Sequence, residues 1–188
     1  MVPVAFADVW KVARAIGGQL SEEEAKTLHQ FAISVPQDQT IVEVGCYHGR
    51  STIILAASGR RVVAFDPMPI GYEVNGKKIA EEDVSMLREN LVWWPNVSWN
   101  RKSPQDAKDF GERVGLVLID GRHNSAWPRL DYECFEPHTT KGAHVVFHGY
   151  LDALSVKECV DVLIVEKRLT LQQMVCGAAI CRVDREGC

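Results

Sequence analysis

At 188 residues the chain has room for one domain with a substantial core and not for two comfortable ones. Charged residues make up 24% of it, the net charge is −4, and Lys and Arg are scattered, which argues against a nucleic-acid partner gripped by its phosphates. No apolar run is long enough for a membrane span, and the opening MVPVAFADVWKVARAIGG lacks a basic start and a small-residue cleavage site, so a soluble, cytoplasmic protein is expected.

Two helices are predicted first. One covers residues 6–16 and is closed by Gly17 and Gly18; the other covers 21–33, with Ser21 and Glu24 at capping-box spacing and Glu22 and Glu23 suited to the positive helix end. Residues 1–36 thus form a helical segment able to cover one mouth of a site, ahead of a core over 40–183. From there the pattern alternates. Strands are predicted over 40–44, 61–65, 97–100, 115–119 and 143–147, and helices over 50–57, 81–93, 104–110, 124–135 and 155–166. The runs 169–175 and 178–183, parted by Cys176 and Gly177, read as a closing hairpin. Strands separated by helices imply an α/β fold: a Rossmann-like, doubly wound, mostly parallel sheet with an antiparallel C-terminal hairpin. With no repeat, low-complexity stretch or linker, residues 1–188 read as a single domain. The irregular piece 67–78, with two prolines and two glycines, reads as a flap.

The stretch IVEVGCYHGRST, residues 41–52, is a strand, a glycine turn and a helix start. Gly45 can adopt backbone angles other residues avoid, Gly49 lets a ligand approach the main chain, and the helix start offers unpaired N–H groups. Its spacing, E-x-G-x-x-x-G, departs from the dinucleotide fingerprint in having Tyr47 for the second glycine, which disfavours pyrophosphate. The stretch resembles the first motif of class I S-adenosylmethionine-dependent methyltransferases, whose acidic residue and glycines border the amino-acid part of the cofactor. That resemblance puts Glu43, Gly45, Tyr47, His48, Gly49 and Ser51 on the cofactor side.

Ligands of open α/β sheets lie beyond the carboxyl ends of the strands. Those ends here carry Glu43 and Gly45, then Asp66, then Asn100, Lys102 and Ser103, then Asp120 and His123, then His148 and Tyr150. Asp66 can accept two hydrogen bonds from a ribose diol. Ser103 lies where the resemblance places contacts to adenine.

A second stretch, LVLIDGRHNSAWPRLDYE followed by GAHVVFHGY, resembles a family of small class I methyltransferases with an I-D-G-x-H segment, a later aspartate and a strand ending in H-D-Y. Asp120, Gly121, His123, Asp131, His148 and Tyr150 match by position, and the resemblance spans roughly residues 40–183. It implies methyl transfer from S-adenosylmethionine to a hydroxyl oxygen of a small molecule such as a natural-product scaffold or sugar. Gly149 departs from the pattern, standing where the family usually has aspartate. Related O-methyltransferases hold Mg²⁺ with acids at these two strand ends, so metal dependence is open: Asp120 and His148 are candidate ligands, and with His123 they make a mixed site for a softer ion. Without a metal, His123 or His148 can act as base through neutral imidazole near pH 7, with Asp120 orienting the histidine or binding the cofactor's ammonium group. His48 falls to the cofactor rather than to proton transfer.

Two rival readings share the fold: a noncatalytic S-adenosylmethionine-binding module, and a relative with changed chemistry. Trp127 is expected at the acceptor pocket, and Trp93 and Trp94 against the sheet. With little sequence outside the core, a second copy of the chain can help to shape that pocket. The six cysteines form no C-x-x-C pair and read as reduced thiols, Cys46 filling the glycine turn and Cys188 exposed at the terminus.

Overall fold

The computed structural model describes residues 2–74, 76–107 and 109–184, so the expectation for Cys188 lies outside the described residues. Helices α1 (Phe6–Ala13) and α2 (Glu22–Ser34) come first. The capping box forms as the spacing implied: the Glu24 backbone N–H donates to the Ser21 hydroxyl, and the Ser21 backbone N–H donates to Glu24 Oε2 at 3.0 Å. Helix α1 stops short of the predicted end because the glycine pair after Ile16 does not carry a helix onward.

The core then alternates: β1 (Thr40–Val44), α3 (Arg50–Ala56), β2 (Val62–Phe65), β3 (Glu73–Val74), β4 (Lys77–Lys78), α4 (Glu81–Leu91), β5 (Val97–Asn100), β6 (Val114–Ile119), α5 (Trp127–Phe135), β7 (Thr139–Phe147), α6 (Leu154–Val165), β8 (Leu169–Val175) and β9 (Ala178–Val183). The main sheet has seven strands in the order β5-β2-β1-β6-β7-β9-β8. The first five run parallel; β9 pairs antiparallel with β7 and β8, which is the predicted hairpin. Burial follows that architecture. All five residues of β1 and all six of β6 are buried, as strands covered on both faces must be. One face packs Tyr132, Phe135, Val160 and Leu163 of α5 and α6; the other packs Val9, Leu28, Ile53 and Leu55 of α1, α2 and α3.

Three expectations shift. Residues 104–110 shrink to a single 3-10 turn, Pro104–Asp106. The flap contains the small β3-β4 hairpin, pinned to α4 where Lys77 Nζ lies 3.1 Å from Asp83 Oδ1. Trp94 packs on the core, whereas Trp93 is 83% exposed and packs against nothing comparable. Among the described residues, no helix is long and apolar enough to cross a membrane.

The chain leaves β1 in one direction for β2 and β5 and in the other for β6 and β7. The crossing point lies between β1 and β6, and a crevice opens there beyond the strand ends.

Candidate active site

Val44 and Ile119 are partners at the ends of β1 and β6, so Gly45 and Asp120 leave the sheet side by side. Gly45 has φ +83, and a Cβ on it would lie 2.3 Å from the Asp120 carbonyl oxygen. Only glycine lets the two strand ends come this close. Tyr47 follows with φ +44, a left-handed conformation costing on the order of 1–3 kcal/mol for a residue with a side chain. Asp66 holds it there. Its Oδ2 accepts the backbone N–H groups of Cys46 (3.0 Å) and Tyr47 (2.9 Å), and its Oδ1 accepts that of Met68 (3.0 Å).

A second group gathers at the ends of β6 and β7. His148 Nδ1 lies 2.9 Å and His123 Nε2 3.3 Å from the same oxygen, Asp120 Oδ1. Neither ring nitrogen is aligned for a hydrogen bond, and both are buried without a partner among the described residues. On the far side of its ring, His148 Nε2 is 3.8 Å from Glu24 Oε1 of α2. Burial pushes the Asp120 carboxyl up, but the two imidazoles outweigh it and leave the group below its ordinary value. The same carboxylate raises His148 to about 9 against the effect of burial. Beside Asp120 alone, His148 is therefore protonated at pH 7, which corrects the expectation of a neutral imidazole there.

Both groups face one cavity of about 590 Å³. The glycine turn, Ser51, Asp66 and Ser103 line it together with Asp120, His123, His148 and Trp127. The flap contributes Tyr72 and Glu73 to the wall. The Arg122 guanidinium lies 4.5 Å from the centre of the Trp127 ring and 5.4 Å from that of Tyr72, bridging flap and strand ends by cation–π contact.

A family described as "Methyltransferase domain" matches residues 42–150, which takes in the end of β1, the glycine turn, Asp66 and both strand-end histidines. The chain belongs to that family. No curated protein sequence matches it. Among solved structures it is similar to an O-methyltransferase from Bacillus cereus in complex with SAH, at 18% identity and TM-score 0.69, covering 98% of this chain and 93% of that one. It is also similar to the O-methyltransferase TomG from Streptomyces achromogenes, involved in tomaymycin synthesis and in complex with SAM, at 17% identity and TM-score 0.66, covering 98% and 92%. An rRNA methylase from Streptococcus thermophilus shares the fold at 15% identity and TM-score 0.60, covering 89% of this chain and all of that one.

Within the methyltransferase domain, several residues singled out from the sequence do other work. Glu43 is fully buried, does not line the cavity, and makes no hydrogen bond among the described residues. Burial pushes its carboxyl up to about 8, against the pull of Ser51 and Thr52 and with the help of the negative Asp120 and Asp66. His48 turns inward: its Nε2 lies 2.8 Å from Asp83 Oδ1, and its ring stacks on Tyr47 at 3.7 Å. It joins the glycine turn to α4 rather than facing the cavity. Gly49 sits at φ +90, a conformation that favours glycine, and a Cβ there would crowd Leu87 and Leu91 at 3.1 and 3.3 Å. Asp66 lines the cavity, but three main-chain donors leave at most about one of its four lone pairs. The two-bond ribose contact expected of it does not fit this turn. Tyr150 donates to Asp161 Oδ1 at 2.9 Å and belongs to the core.

Three contributors were missed. Arg50 donates through Nε to the Ile16 carbonyl at 2.7 Å and through Nη1 to that of Leu20 at 3.1 Å, which fixes the cavity-lining segment 17–20 onto α3. Arg122 has no sequence signal beyond its place next to Asp120. Gln105 links Ser103 to Asp131, receiving the serine hydroxyl and donating to Asp131 Oδ1 at 2.8 Å.

Proposed function

We propose that the chain is an S-adenosylmethionine-dependent O-methyltransferase that acts on a hydroxyl group of a small molecule. One observation carries this reading: a single cavity at the sheet's crossing point joins a backbone cradle, Gly45 to Tyr47 with Ser51, to a cluster of Asp120, His123 and His148. The acidic lining of Asp66, Asp120 and Asp131 suits a cationic donor, and Ser103 lines the same cavity, which supports its reading as a cofactor contact.

S-adenosylmethionine supplies the methyl group as an activated sulfonium. Transfer forms a bond from the acceptor oxygen to the methyl carbon as the carbon–sulfur bond breaks in line, so the chain must align the two and take up the acceptor's proton. Asp66 holds the cradle in shape, and the cluster at Asp120 lies where an acceptor hydroxyl would lose its proton. The Arg122, Trp127 and Tyr72 bridge walls the acceptor end, which suits a small molecule, and the net charge of −4 disfavours a long phosphate backbone.

Incubation with methyl-labelled S-adenosylmethionine and two acceptor sets, hydroxylated small molecules and ribosomal RNA, tests the reading. Label moving to a small-molecule oxygen supports it; label moving only to RNA, or to nitrogen or carbon, refutes it.

A further inference from the structure

The hard-cation site of related O-methyltransferases does not fit these residues. Such an ion wants several oxygen ligands, and the strand ends supply only one carboxylate, Asp120, that faces both histidines. Among the described residues, Asp131 takes the Gln105 amide on one oxygen, Asp66 is engaged by the glycine turn, Glu24 faces the far side of the His148 ring and Glu43 is sealed in the core. Position 149 cannot supply the missing oxygen as the site stands. A Cβ on Gly149 would lie 2.8 Å from Cε1 and Nδ1 of His123, so the imidazole already fills the space of a side chain there.

From this geometry we infer that Asp120, His123 and His148 form a two-histidine, one-carboxylate site for a divalent transition ion of the zinc, cobalt or iron class, and not for Mg²⁺. The three donor atoms lie within 4.8 Å of one another, close enough for small ring rotations to bring them onto one ion. Two of them, His123 Nε2 and His148 Nδ1, are buried and unpartnered among the described residues although both face Asp120 Oδ1. On the far side of its ring His148 Nε2 lies 3.8 Å from Glu24 Oε1, an electrostatic contact longer than a hydrogen bond. Ser155 Oγ donates to the His123 carbonyl at 2.5 Å and fixes the other histidine's backbone. All three donors line the cavity, which leaves open coordination positions toward the acceptor. The assignment rests on reading that cavity as the site of methyl transfer.

Cobalt(II) alone is the probe, titrated into the metal-stripped protein and followed by visible absorption. The expected result is one site with a band of low-symmetry cobalt, displaced by zinc and not by a thousandfold excess of magnesium. In His123→Ala and in His148→Ala, affinity should fall on the order of 100-fold or more. His123→Asn and thermal melting of each variant guard against misfolding. No cobalt binding, parent-like affinity in either histidine variant, or ready displacement by magnesium overturns the assignment. Titration of S-adenosylhomocysteine into the same samples separates the two claims. If it binds and cobalt does not, the metal site alone falls; if it does not bind, the methyl-transfer reading falls, and the cobalt result decides the metal site independently.

Discussion

The imidazole of His123 lies over the α-carbon of Gly149, 2.8 Å from where a Cβ would stand, so the ring in this position and a side chain at 149 exclude each other. Gly149 also has φ +79, where a side chain is strained whatever the space around it.

Gly149→Asp should therefore lower stability by about 1–2 kcal/mol and expel His123, weakening cobalt binding rather than building on it. Combined with His123→Ala, which makes the space, the same substitution should move preference toward Mg²⁺. Thermal melting and competitive metal titration check both. A single Gly149→Asp variant that binds cobalt more tightly would show that the pair is not coupled.

Asp66→Asn keeps one oxygen acceptor but replaces the other with an amide NH2, which faces main-chain N–H groups that the carboxylate oxygen served. The glycine turn should relax from the left-handed conformation at Tyr47, and affinity for S-adenosylhomocysteine should fall about 10-fold to 100-fold. Calorimetry measures the loss; unchanged affinity would mean that the carboxylate neither shapes the cradle nor touches the ligand.

Glu43 makes stability depend on pH. Its folded value of about 8 lies above the ordinary 4.5, so between these the folded chain keeps a proton that the unfolded chain has lost. Stability should be highest below pH 4.5 as far as this group is concerned, and should fall as pH rises to 8 by at most about 1.4 kcal/mol per unit. In Glu43→Gln that slope should vanish and the protein should be more stable than the parent at pH 8. Urea unfolding at pH 5, 6.5 and 8 reads it; identical slopes in both proteins would show that Glu43 ionises freely in the fold.

Arg50→Met should release residues 17–20 from α3, since two carbonyls lose a charged donor worth roughly 1.5–3 kcal/mol each. Protease cleavage near Gly18 should become faster and cofactor affinity weaker. Parent-like cleavage would place the grip elsewhere.

Much of this was legible in the sequence. Strand positions came from buried apolar runs such as VGLVLI in β6, where one pattern admits one structure, and the strand-end rule then brought Gly45, Asp66, Ser103, Asp120, His123 and His148 to one cavity. The direction of side chains within the glycine turn was not legible. Tyr47 turns through a positive φ, and the next residue, His48, is directed into α4 rather than toward the cavity, to meet an Asp83 that lies 35 positions away. Asp66 looked like a ligand residue because its strand end is; that the turn's own N–H groups claim it first depends on backbone angles that no residue type announces. Arg50 and Gln105 act through main-chain and amide contacts between distant segments, which leave no spacing to read.

Calorimetric titration of the protein with S-adenosylhomocysteine tests the proposed cofactor cavity most directly, because it needs no knowledge of the acceptor or of the metal. The expected result is one site in the micromolar range, about −8 kcal/mol, competed by S-adenosylmethionine and weakened in Asp66→Asn. Absence of binding by the folded protein would contradict the account and leave the methyltransferase fold without its methyl donor.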